Sequence, residues 1–270
     1  MVFSGIFLVN IMISENKIQT MFGNQVQIGE GAYATVYKAL IESSDTEGQV
    51  AVKRVDKIPD WNTESIILSQ LTHMNIISWI GCYETPNYGY IITEYVAGSD
   101  LFDTIVEYKC LSESLTKSIF IKVLSAVKYL HDNGYAHLDI KPENILVGTD
   151  GRIKLVDFGF SKQAFNQPLT KRSGSPEYVS PEIIQGKPYI PNPCDIWALG
   201  VTLYLTLYGS LPFRGNNSME LFTKIIQEEP SYSNKVSMTA NSLISGMLAK
   251  NPVERLTIDQ VMDHPWLSGY

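Results

Sequence analysis

The sequence predicts an α+β fold with two lobes, a smaller β-rich lobe with one main helix and a larger α-rich lobe. From residue 22 to residue 95, strand-like runs lie between turn residues. After residue 98, apolar residues instead recur every three or four positions, the spacing of amphipathic helices. With 44% hydrophobic residues, the 270-residue chain has enough apolar material for such a core. We therefore place the lobes at 22–95 and 96–270, with "VAGSD" as their connector.

Residues 1–21 form an apolar lead that we set apart from the two lobes. Its first part, "MVFSGIFLVNIMI", has no positive n-region and is too short to span a bilayer. The lead is either a membrane or targeting element, an extra strand, a disordered segment, or the product of a start codon placed too early. In the last case, translation begins at Met12 or Met21.

The β-rich lobe is predicted from short apolar and alternating runs, together with one helix. In "WNTESIILSQL" the apolar side chains of Ile67, Leu68 and Leu71 fall on one helical face, and Asn62 or Thr63 provides a cap. The segment "YGYIITEYV" reads as a buried strand. The other predicted strands are "QVQIGEG", "ATVYKAL" and "QVAVKRV".

The α-rich lobe is predicted from helical periodicity. One long helix stops at Gly134 and carries apolar residues at helical spacing: Leu115, Ile119, Val123, Val127 and Leu130. The longest apolar run, "IWALGVTLYLTLYG", is interrupted by glycine and threonine. We interpret it as a buried core helix, because it is too short to cross a bilayer.

Composition excludes several classes of protein. The net charge of −7 argues against a nucleic-acid partner, which would require a basic surface. The three cysteines, Cys82, Cys110 and Cys194, are far apart and have no CxxC spacing. We therefore expect no disulfide framework. We expect a reducing compartment instead, either the cytoplasm or the nucleus. We expect no membrane partner.

Two segments of the β-rich lobe carry candidate chemistry. In "IGEGAYATVYKA", Gly29 and Gly31 lie between strands, where the lack of Cβ atoms lets backbone amides approach phosphate oxygens. The alternative is an ordinary hairpin. Lys53 has apolar strand neighbours, so its side chain is expected to enter a cleft and to need a partner, with Glu64 the nearest acidic candidate on the helix. The alternative is a surface lysine on an edge strand.

The segment "HLDIKPENIL" concentrates polar groups between apolar anchors. Asp139 can accept a proton from an attacking hydroxyl, and Lys141 can neutralise a transferring phosphate. Asn144 offers a neutral oxygen for Mg²⁺. Asp157, at the end of the apolar strand in "IKLVDFG", can supply a second and charged metal ligand.

In order and spacing these residues resemble a protein kinase, from Phe22 to Leu267. Lys53 matches the lysine of the V-A-I-K motif, and Glu64 matches the glutamate of the helix that pairs with it. Asp139 and Asn144 match the catalytic loop, and 157–159 matches DFG. The start of the glycine-rich loop (29–31), the "SPE" at 180–182, Asp195 and Arg255 match further family positions. The resemblance implies the two-lobed protein kinase fold and a pair between Arg255 and Glu182.

The resemblance also indicates a class. Lys141 and Ser175 stand where serine/threonine kinases keep a lysine and a hydroxyl near the catalytic aspartate. "GSDLFD" and "DHPWL" resemble the calcium/calmodulin-dependent kinase group, including its checkpoint- and energy-sensing branches. The implied reaction is ATP-dependent phosphorylation of serine or threonine in a protein substrate, by a monomer for which a regulatory partner is possible.

The resemblance assigns ATP and Mg²⁺ to named positions. Asn144 and Asp157 would hold the metal, Lys53 the α- and β-phosphates, and Thr93 would be the gatekeeper. Val36 and Ala51 would stack on one face of the adenine and Leu146 on the other, with backbone groups of Glu94 and Val96 at its edge. The full implied ATP set is Ile28, Gly29, Glu30, Gly31, Ala32, Val36, Ala51, Lys53, Glu94, Val96 and Leu146.

The sequence departs from the family pattern at Ala34, which replaces the third loop glycine, and at Leu138, which replaces an arginine. That arginine pairs with a phosphate on the activation segment, residues 157–182, whose expected phosphosite is Thr170. Leucine cannot bind a phosphate, so basal activity is predicted not to require phosphorylation of Thr170. The nearby cations Lys162, Lys171 and Arg172 would form only exposed pairs, worth ~0–1 kcal/mol.

Alternatives remain on both points. Leu138 could merely fill an apolar pocket while a different basic residue takes over the role of the arginine. The chain could also be a pseudokinase that binds nucleotide as a scaffold, or a kinase of small molecules. For a protein kinase, Asp100 and Glu143 suggest a preference for a basic residue three before the acceptor, unless Asp100 only bonds the ribose.

Overall fold

The computed structural model describes residues 11–31, 34–43, 46–163, 168–170 and 174–268. The chain divides into two compact units, Met1–Ala97 and Gly98–Tyr270. Unit 1 is rich in strands and unit 2 in helices, which confirms the predicted α+β class. The division falls two residues after the predicted lobe boundary.

Unit 1 contains a six-stranded sheet with the strand order β1-β5-β6-β4-β3-β2. Its strands are β1 (Ile11–Met12), β2 (Phe22–Glu30), β3 (Ala34–Ser43), β4 (Thr46–Asp56), β5 (Trp79–Glu84) and β6 (Tyr88–Glu94). Its helices are α1 (Glu15–Met21) and α2 (Thr63–Leu68). The predicted face of α2 is buried, although Leu71 lies beyond the end of the helix. Asn62 is the N-cap but makes no side-chain capping hydrogen bond.

The central strands of unit 1 divide their side chains between two faces. Val36 pairs with Lys53, and Lys53 with Ile91, so these three side chains share one face. Alternate strand residues form the apolar core on the other face together with Ile18 of α1. The strand residues are Phe22, Ala39, Val50, Val52, Tyr90 and Ile92. The strand pattern therefore separates the core of the sheet from the face that carries Lys53.

The described part of the apolar lead, residues 11–21, packs with unit 1. β1 adds a parallel strand to β5, with Ile11 opposite Tyr83. Ser14 caps α1 by accepting a hydrogen bond from the Lys17 amide at 3.3 Å. Ile18 is 2% exposed within the core of the sheet. The strand adds to the edge of β5, which would otherwise be unpaired.

Unit 2 contains a three-stranded sheet in the order β10-β9-β7 and a two-stranded pair, β11-β8. Its strands are β7 (Gly98–Asp100), β8 (Tyr135–Ala136), β9 (Ile145–Gly148), β10 (Ile153–Leu155) and β11 (Lys162–Gln163). Its helices are α3 (Leu101–Tyr108), α4 (Glu113–Asp132), α5 (Pro181–Ile184), α6 (Pro191–Tyr208), α7 (Ser218–Gln227), α8 (Met238–Met247) and α9 (Ile258–Met262). Two 3₁₀ helices cover Pro142–Asn144 and Pro265–Leu267.

The core of unit 2 is built around α6. Nearly all of this helix is buried, including Trp197, whose ring stacks on Phe213 at a centroid distance of 5.9 Å. Its sequence is the longest apolar run, so the prediction of a buried core helix is confirmed. In the described part of the chain, no helix is both long enough and apolar enough to cross a membrane.

Candidate active site

The glycine-rich turn joins β2 to β3. The Gly31 amide donates to the Ala34 carbonyl at 2.8 Å. A Cβ atom on Gly29 or Gly31 would make only ordinary contacts, and neither residue has a positive φ. The fold therefore gives no reason for glycine at these positions, and their role in phosphate binding stays a prediction. Ala32 lies outside the described residues.

Lys53 and Glu64 form the ion pair expected from the sequence. Lys53 Nζ lies 2.6 Å from Glu64 Oε2, and the Glu64 side chain is only 9% exposed. Trp79 holds the same helix against β5, because its Nε1 donates to Ser65 Oγ at 2.9 Å. The ammonium of Lys53 is thereby fixed on one face of the sheet.

Of the adenine-contact residues assigned to unit 1, Val36 and Ala51 lie on that same face. Ala51 pairs with Thr93 across β4 and β6. Its side chain shares a face with that of Lys53, because the two residues are two positions apart along β4. The Glu94 amide donates to the Ser78 carbonyl at 2.9 Å. The Glu94 amide is therefore engaged within unit 1, which argues against its expected role as a donor to a ligand. Val96 is buried, whereas Ile28 is 49% exposed.

In unit 2, Asp139 lies at the centre of a hydrogen-bonded cluster and is 3% exposed. Its Oδ1 accepts the amide and the hydroxyl of Ser175, at 3.0 and 2.9 Å. Its Oδ2 accepts Asn144 Nδ2 at 3.1 Å and lies 2.9 Å from Lys141 Nζ. Lys141 also donates to Ser175 Oγ at 2.8 Å. The structure thus brings together the base, lysine and hydroxyl that the sequence analysis named separately.

Asn144 and Asp157 are placed by the hairpin of β9 and β10. Asn144 directly precedes β9, and the Val156 amide donates to its carbonyl at 3.0 Å, just before Asp157. Since Asn144 Nδ2 donates to both the carbonyl and the carboxylate of Asp139, its Oδ1 is the atom left to face a cation. Asp157 adopts a φ of 61°, uncommon for a non-glycine residue.

These two oxygen ligands suit Mg²⁺, which is usually held by one or two protein groups together with phosphate and water. Among the residues described, no cluster of three or more His, Cys, Asp or Glu side chains could hold a metal.

His137 and Asp195 support the catalytic loop, and the sequence analysis gave neither of them this role. Asp195 is fully buried and accepts the backbone amides of His137 and Leu138 at 2.9 and 2.8 Å. The His137 ring accepts the Asp139 amide at Nδ1, so its Nε2 donates to the Val156 carbonyl at 3.0 Å. In the sequence, only the histidine of "HLD" indicated that the loop is supported in this way.

Leu138 is buried in an apolar cluster, as one of the alternatives anticipated. It packs with Ile183, Tyr189 and Cys194, and Leu169 packs against the same cluster. Thr170 and Lys162 are exposed. The same alternative also proposed that a different basic residue takes over the role of the arginine. That part stays untested, because two candidate cations, Lys171 and Arg172, lie outside the described residues.

The implied pair between Arg255 and Glu182 is present. Arg255 NH1 and NH2 donate to the two carboxylate oxygens at 2.7 and 3.0 Å. Burial alone would raise the pKa of Glu182, but the hydrogen bonds and charge of Arg255 outweigh it and lower that pKa. This bidentate pair fixes the C-terminal end of the activation segment within unit 2.

The acidic residues proposed to contact the substrate have distinct environments. Asp100 caps α3 by accepting the Asp103 amide at 2.8 Å. Burial raises the pKa of Asp100. Burial is also the largest cause of the raised pKa of Glu143. The charges of Asp100 and Asp139 further raise the pKa of Glu143, so these carboxylates act on one another.

Comparison with known proteins gives extensive matches. The protein kinase domain family matches residues 22–267. Maternal embryonic leucine zipper kinase of Xenopus tropicalis is 37% identical over 253 residues, covering 90% of this chain and 38% of that protein. SNF1-related protein kinase catalytic subunit alpha KIN12 of Arabidopsis thaliana is 38% identical over 250 residues, covering 90% and 50%.

A third relative is matched over more of its own length. Calcium/calmodulin-dependent protein kinase type 1 of Caenorhabditis briggsae is 34% identical over 275 residues, covering 97% of this chain and 76% of that protein. The chain spans less than half the length of the maternal embryonic leucine zipper kinases that it matches. The resemblance stated from the sequence is confirmed by these matches.

Proposed function

The chain belongs to the protein kinase family, and from that premise we propose that it transfers the γ-phosphoryl group of ATP to serine or threonine of protein substrates. The observation that carries this proposal is the cluster around Asp139, in which Lys141 Nζ lies 2.9 Å from the carboxylate and 2.8 Å from the Ser175 hydroxyl. The proposed base, which is buried, and a cation thus lie side by side in one loop.

Each group has a defined task in the proposed reaction. Lys53, held by Glu64, binds the α- and β-phosphates. Asp139 orients the acceptor hydroxyl and accepts its proton through Oδ2, which opens when the Lys141 ammonium turns to the γ-phosphate. Ser175 keeps Oδ1 in place through two hydrogen bonds. Catalysis is then mostly positioning and electrostatic stabilisation.

Protein kinases of this family use ATP and Mg²⁺. The metal neutralises phosphate charge during the transfer. In this chain Asn144 Oδ1 and the Asp157 carboxylate are the groups that would hold it.

A transfer assay tests the proposed function. The purified chain is mixed with radiolabelled ATP, Mg²⁺ and a generic basic protein, and the labelled amino acids are identified after acid hydrolysis. We expect labelled phosphoserine or phosphothreonine. Nucleotide binding without transfer would instead indicate the pseudokinase scaffold, and label confined to small molecules would indicate the third alternative.

For the substrate, we propose a basic residue three before the acceptor. Support comes from the charges around Glu143, whose pKa is raised chiefly by burial, lowered by Lys141 and raised further by Asp100 and Asp139. Three carboxylates thus share one neighbouring cation, which favours a further cation from the substrate. The pKa of Tyr178 is raised chiefly by burial and then by the charges of Glu143, Glu177 and Asp139. The surroundings of the base are therefore predominantly acidic.

An apolar hollow lies beside the same site and would accept an apolar substrate side chain. Its volume is about 170 Å³, and it adjoins Gly174, directly before Ser175. Its other lining residues are Phe160, Pro176, Val179, Ile183, Ile184 and Phe222. The proposed substrate thus combines a basic and an apolar residue around one acceptor.

Charge-removing variants test the basic preference. Asp100→Asn keeps the helix cap, because asparagine caps as well as aspartate does. Together with Glu143→Gln it should reduce the preference for arginine over glutamate at the third position before the acceptor. Glu107→Gln, on the same helix as the Asp100 cap, is the control. An unchanged ranking of the two peptides in the double variant would contradict the peptide role.

We also propose that basal activity does not depend on phosphorylation of Thr170. Leu138 supports this, because an apolar side chain cannot bind a phosphate. Phosphatase-treated protein and Thr170→Ala should each keep activity within about threefold of the untreated protein. That range corresponds to the ~0–1 kcal/mol of an exposed ion pair. A fall of more than tenfold in both would show that the phosphate matters.

The chain is proposed to act as a monomer, with a regulatory partner possible, in the cytoplasm or nucleus. The three cysteines are free, which fits a reducing compartment. Light scattering during size-exclusion chromatography would measure the oligomeric state.

A further inference from the structure

The activation segment is joined to its surroundings in unit 2 at separate places. Near its start, β11 pairs with β8, so that Lys162 lies opposite Ala136. Further along, Leu169 exchanges two backbone hydrogen bonds with Tyr189, at 2.9 and 3.0 Å. Ser175 then bonds to Asp139. The middle attachment is the one that no catalytic motif explains.

Apolar side chains reinforce that middle attachment. Leu138, Ile183 and Tyr189 are buried in one cluster, and Leu169 and Val179 pack against it. We call these five residues the apolar clasp. Leu169 and Val179 belong to the activation segment, whereas Leu138 belongs to the catalytic loop. The clasp therefore joins the two segments without using any charge.

The backbone of Leu138 is fixed in the orientation that the clasp uses. Its φ is 65°, a left-handed conformation that leucine rarely adopts. The buried carboxylate of Asp195 accepts its amide at 2.8 Å, which holds this conformation. Residues in such conformations persist only where their surroundings determine them, and they cluster at functional sites.

A close approach connects the clasp to the catalytic groups. Gly174 has a φ of 97°, and a Cβ atom on it would lie 2.8 Å from the Leu138 carbonyl oxygen. The activation segment thus passes directly over Leu138, one residue before Ser175 contacts the base. A displacement of the segment at Leu138 would move the Ser175 hydroxyl away from Asp139 and Lys141.

Taken with the proposed kinase activity, on which this inference rests, we propose that the apolar clasp positions the activation segment and that Leu169 is a positioning residue for the reaction. The packing of Leu169 against the cluster that contains Leu138 keeps Ser175 on Asp139. Apolar burial needs no modification and responds little to salt. The clasp would hold the segment in the same arrangement with or without a phosphate on Thr170.

Three variants with matched chemistry test the clasp. Leu169→Ala removes the packing, Leu169→Met restores apolar volume, and Leu115→Ala is the control on an exposed part of α4. We expect Leu169→Ala to lower kcat/KM for a peptide at least tenfold, with KM for ATP changed less than twofold and Tm nearly unchanged. Leu169→Met should stay within about threefold of the natural chain. Equal peptide kinetics in Leu169→Ala and Leu115→Ala would overturn the proposal.

A second measurement does not depend on activity or on any variant. Amide hydrogen exchange in the phosphatase-treated natural chain should show protected amides at Leu169 and Tyr189, at the same level as before treatment. A loss of protection on phosphatase treatment would overturn the clasp. Because exchange requires no transfer of phosphate, this result separates failure of the clasp from failure of the proposed activity.

Discussion

The buried side chain of Asp195 holds Leu138, in the catalytic loop, in a left-handed backbone conformation. Its Oδ1 accepts the Leu138 amide at 2.8 Å, and its Oδ2 accepts both the His137 amide and His131 Nε2 at 2.9 Å. One fully buried carboxylate therefore fixes the backbone immediately before Asp139. Because Asp139, the proposed base, directly follows that backbone, Asp195 would act on the proposed reaction as a positioning residue.

Replacing Asp195 with asparagine should disturb the loop while keeping the side-chain volume. Asparagine has one acceptor oxygen, so one of the two backbone amides would be left facing an NH₂ group. An unsatisfied buried donor costs about 1–3 kcal/mol. We expect a lower Tm and a fall in kcat of at least tenfold with little change in KM for ATP.

Asp132→Asn is the control for that variant, because Asp132 is an exposed partner of Lys128 on α4. If Asp195→Asn changed Tm and kcat no more than the control does, the supporting role of Asp195 would be rejected.

The buried pair of Arg255 and Glu182 gives a prediction that depends on pH. Removing one partner of a buried ion pair costs roughly 3–5 kcal/mol, because the other charge stays buried. Glu182→Gln should therefore lower the free energy of unfolding by about that amount at pH 7. Chemical denaturation of both proteins would measure the difference.

The sign of the pH effect follows from the lowered pKa of Glu182. A carboxyl whose pKa is lower in the folded state stabilises the fold above its unfolded pKa of about 4.3. That contribution is lost as the pH falls through the folded pKa. The difference between the two proteins should be constant above about pH 5 and shrink below pH 4. A difference that stayed the same at pH 3.5 would contradict the assignment.

The pair of Lys53 and Glu64 is predicted to matter for activity more than for stability. Glu64→Gln keeps an acceptor but removes the charge that orients the ammonium. Misplacement of a positioning group by about 1 Å can cost 10²-fold in rate, so kcat/KM for ATP should fall between tenfold and a hundredfold.

Glu84→Gln offers a matched control in unit 1, where Glu84 pairs with Lys57 at 3.0 Å. That variant should leave kcat/KM unchanged. Equal effects of the two variants would mean that the pair of Lys53 and Glu64 is merely structural.

The sequence alone was sufficient to predict the site residues that lie within short motifs. Asp139, Lys141 and Asn144 lie within six positions of one another, so their chemistry could be read as a local pattern. Alternation along β3 and β4 placed Lys53 correctly among apolar neighbours. The bidentate pair of Arg255 and Glu182 could be inferred only through the family resemblance, because nothing local connects the two residues.

Other features depend on contacts that local patterns do not encode. Leu169 and Tyr189 are apolar residues in irregular segments, and no periodicity predicts that their backbones bond to each other. The pairing of β1 with β5 joins a two-residue strand to a distant edge, too short to give an alternating signal. Asp100 caps α3 by accepting a hydrogen bond from the Asp103 amide, and this capping was not predicted from the sequence.

The central claim is that Asp139 acts as the base of a phosphotransfer reaction. In Asp139→Asn the side-chain oxygen can still accept the hydrogen bonds of Ser175. The charge that accepts the proton is removed. A well-placed general base contributes typically 10²–10⁴-fold. Asp263→Asn, which changes an exposed residue at the end of α9, serves as the control.

The most direct measurement is the rate of phosphate transfer from ATP to a basic serine peptide by the natural chain, Asp139→Asn and Asp263→Asn, with folding checked by thermal melting. We predict that Asp139→Asn stays folded, with a lower Tm because its NH₂ group cannot accept the hydrogen bond from Asn144, and that it loses at least 10²-fold in kcat, while Asp263→Asn keeps full activity. A folded Asp139→Asn protein with near-normal turnover would contradict it.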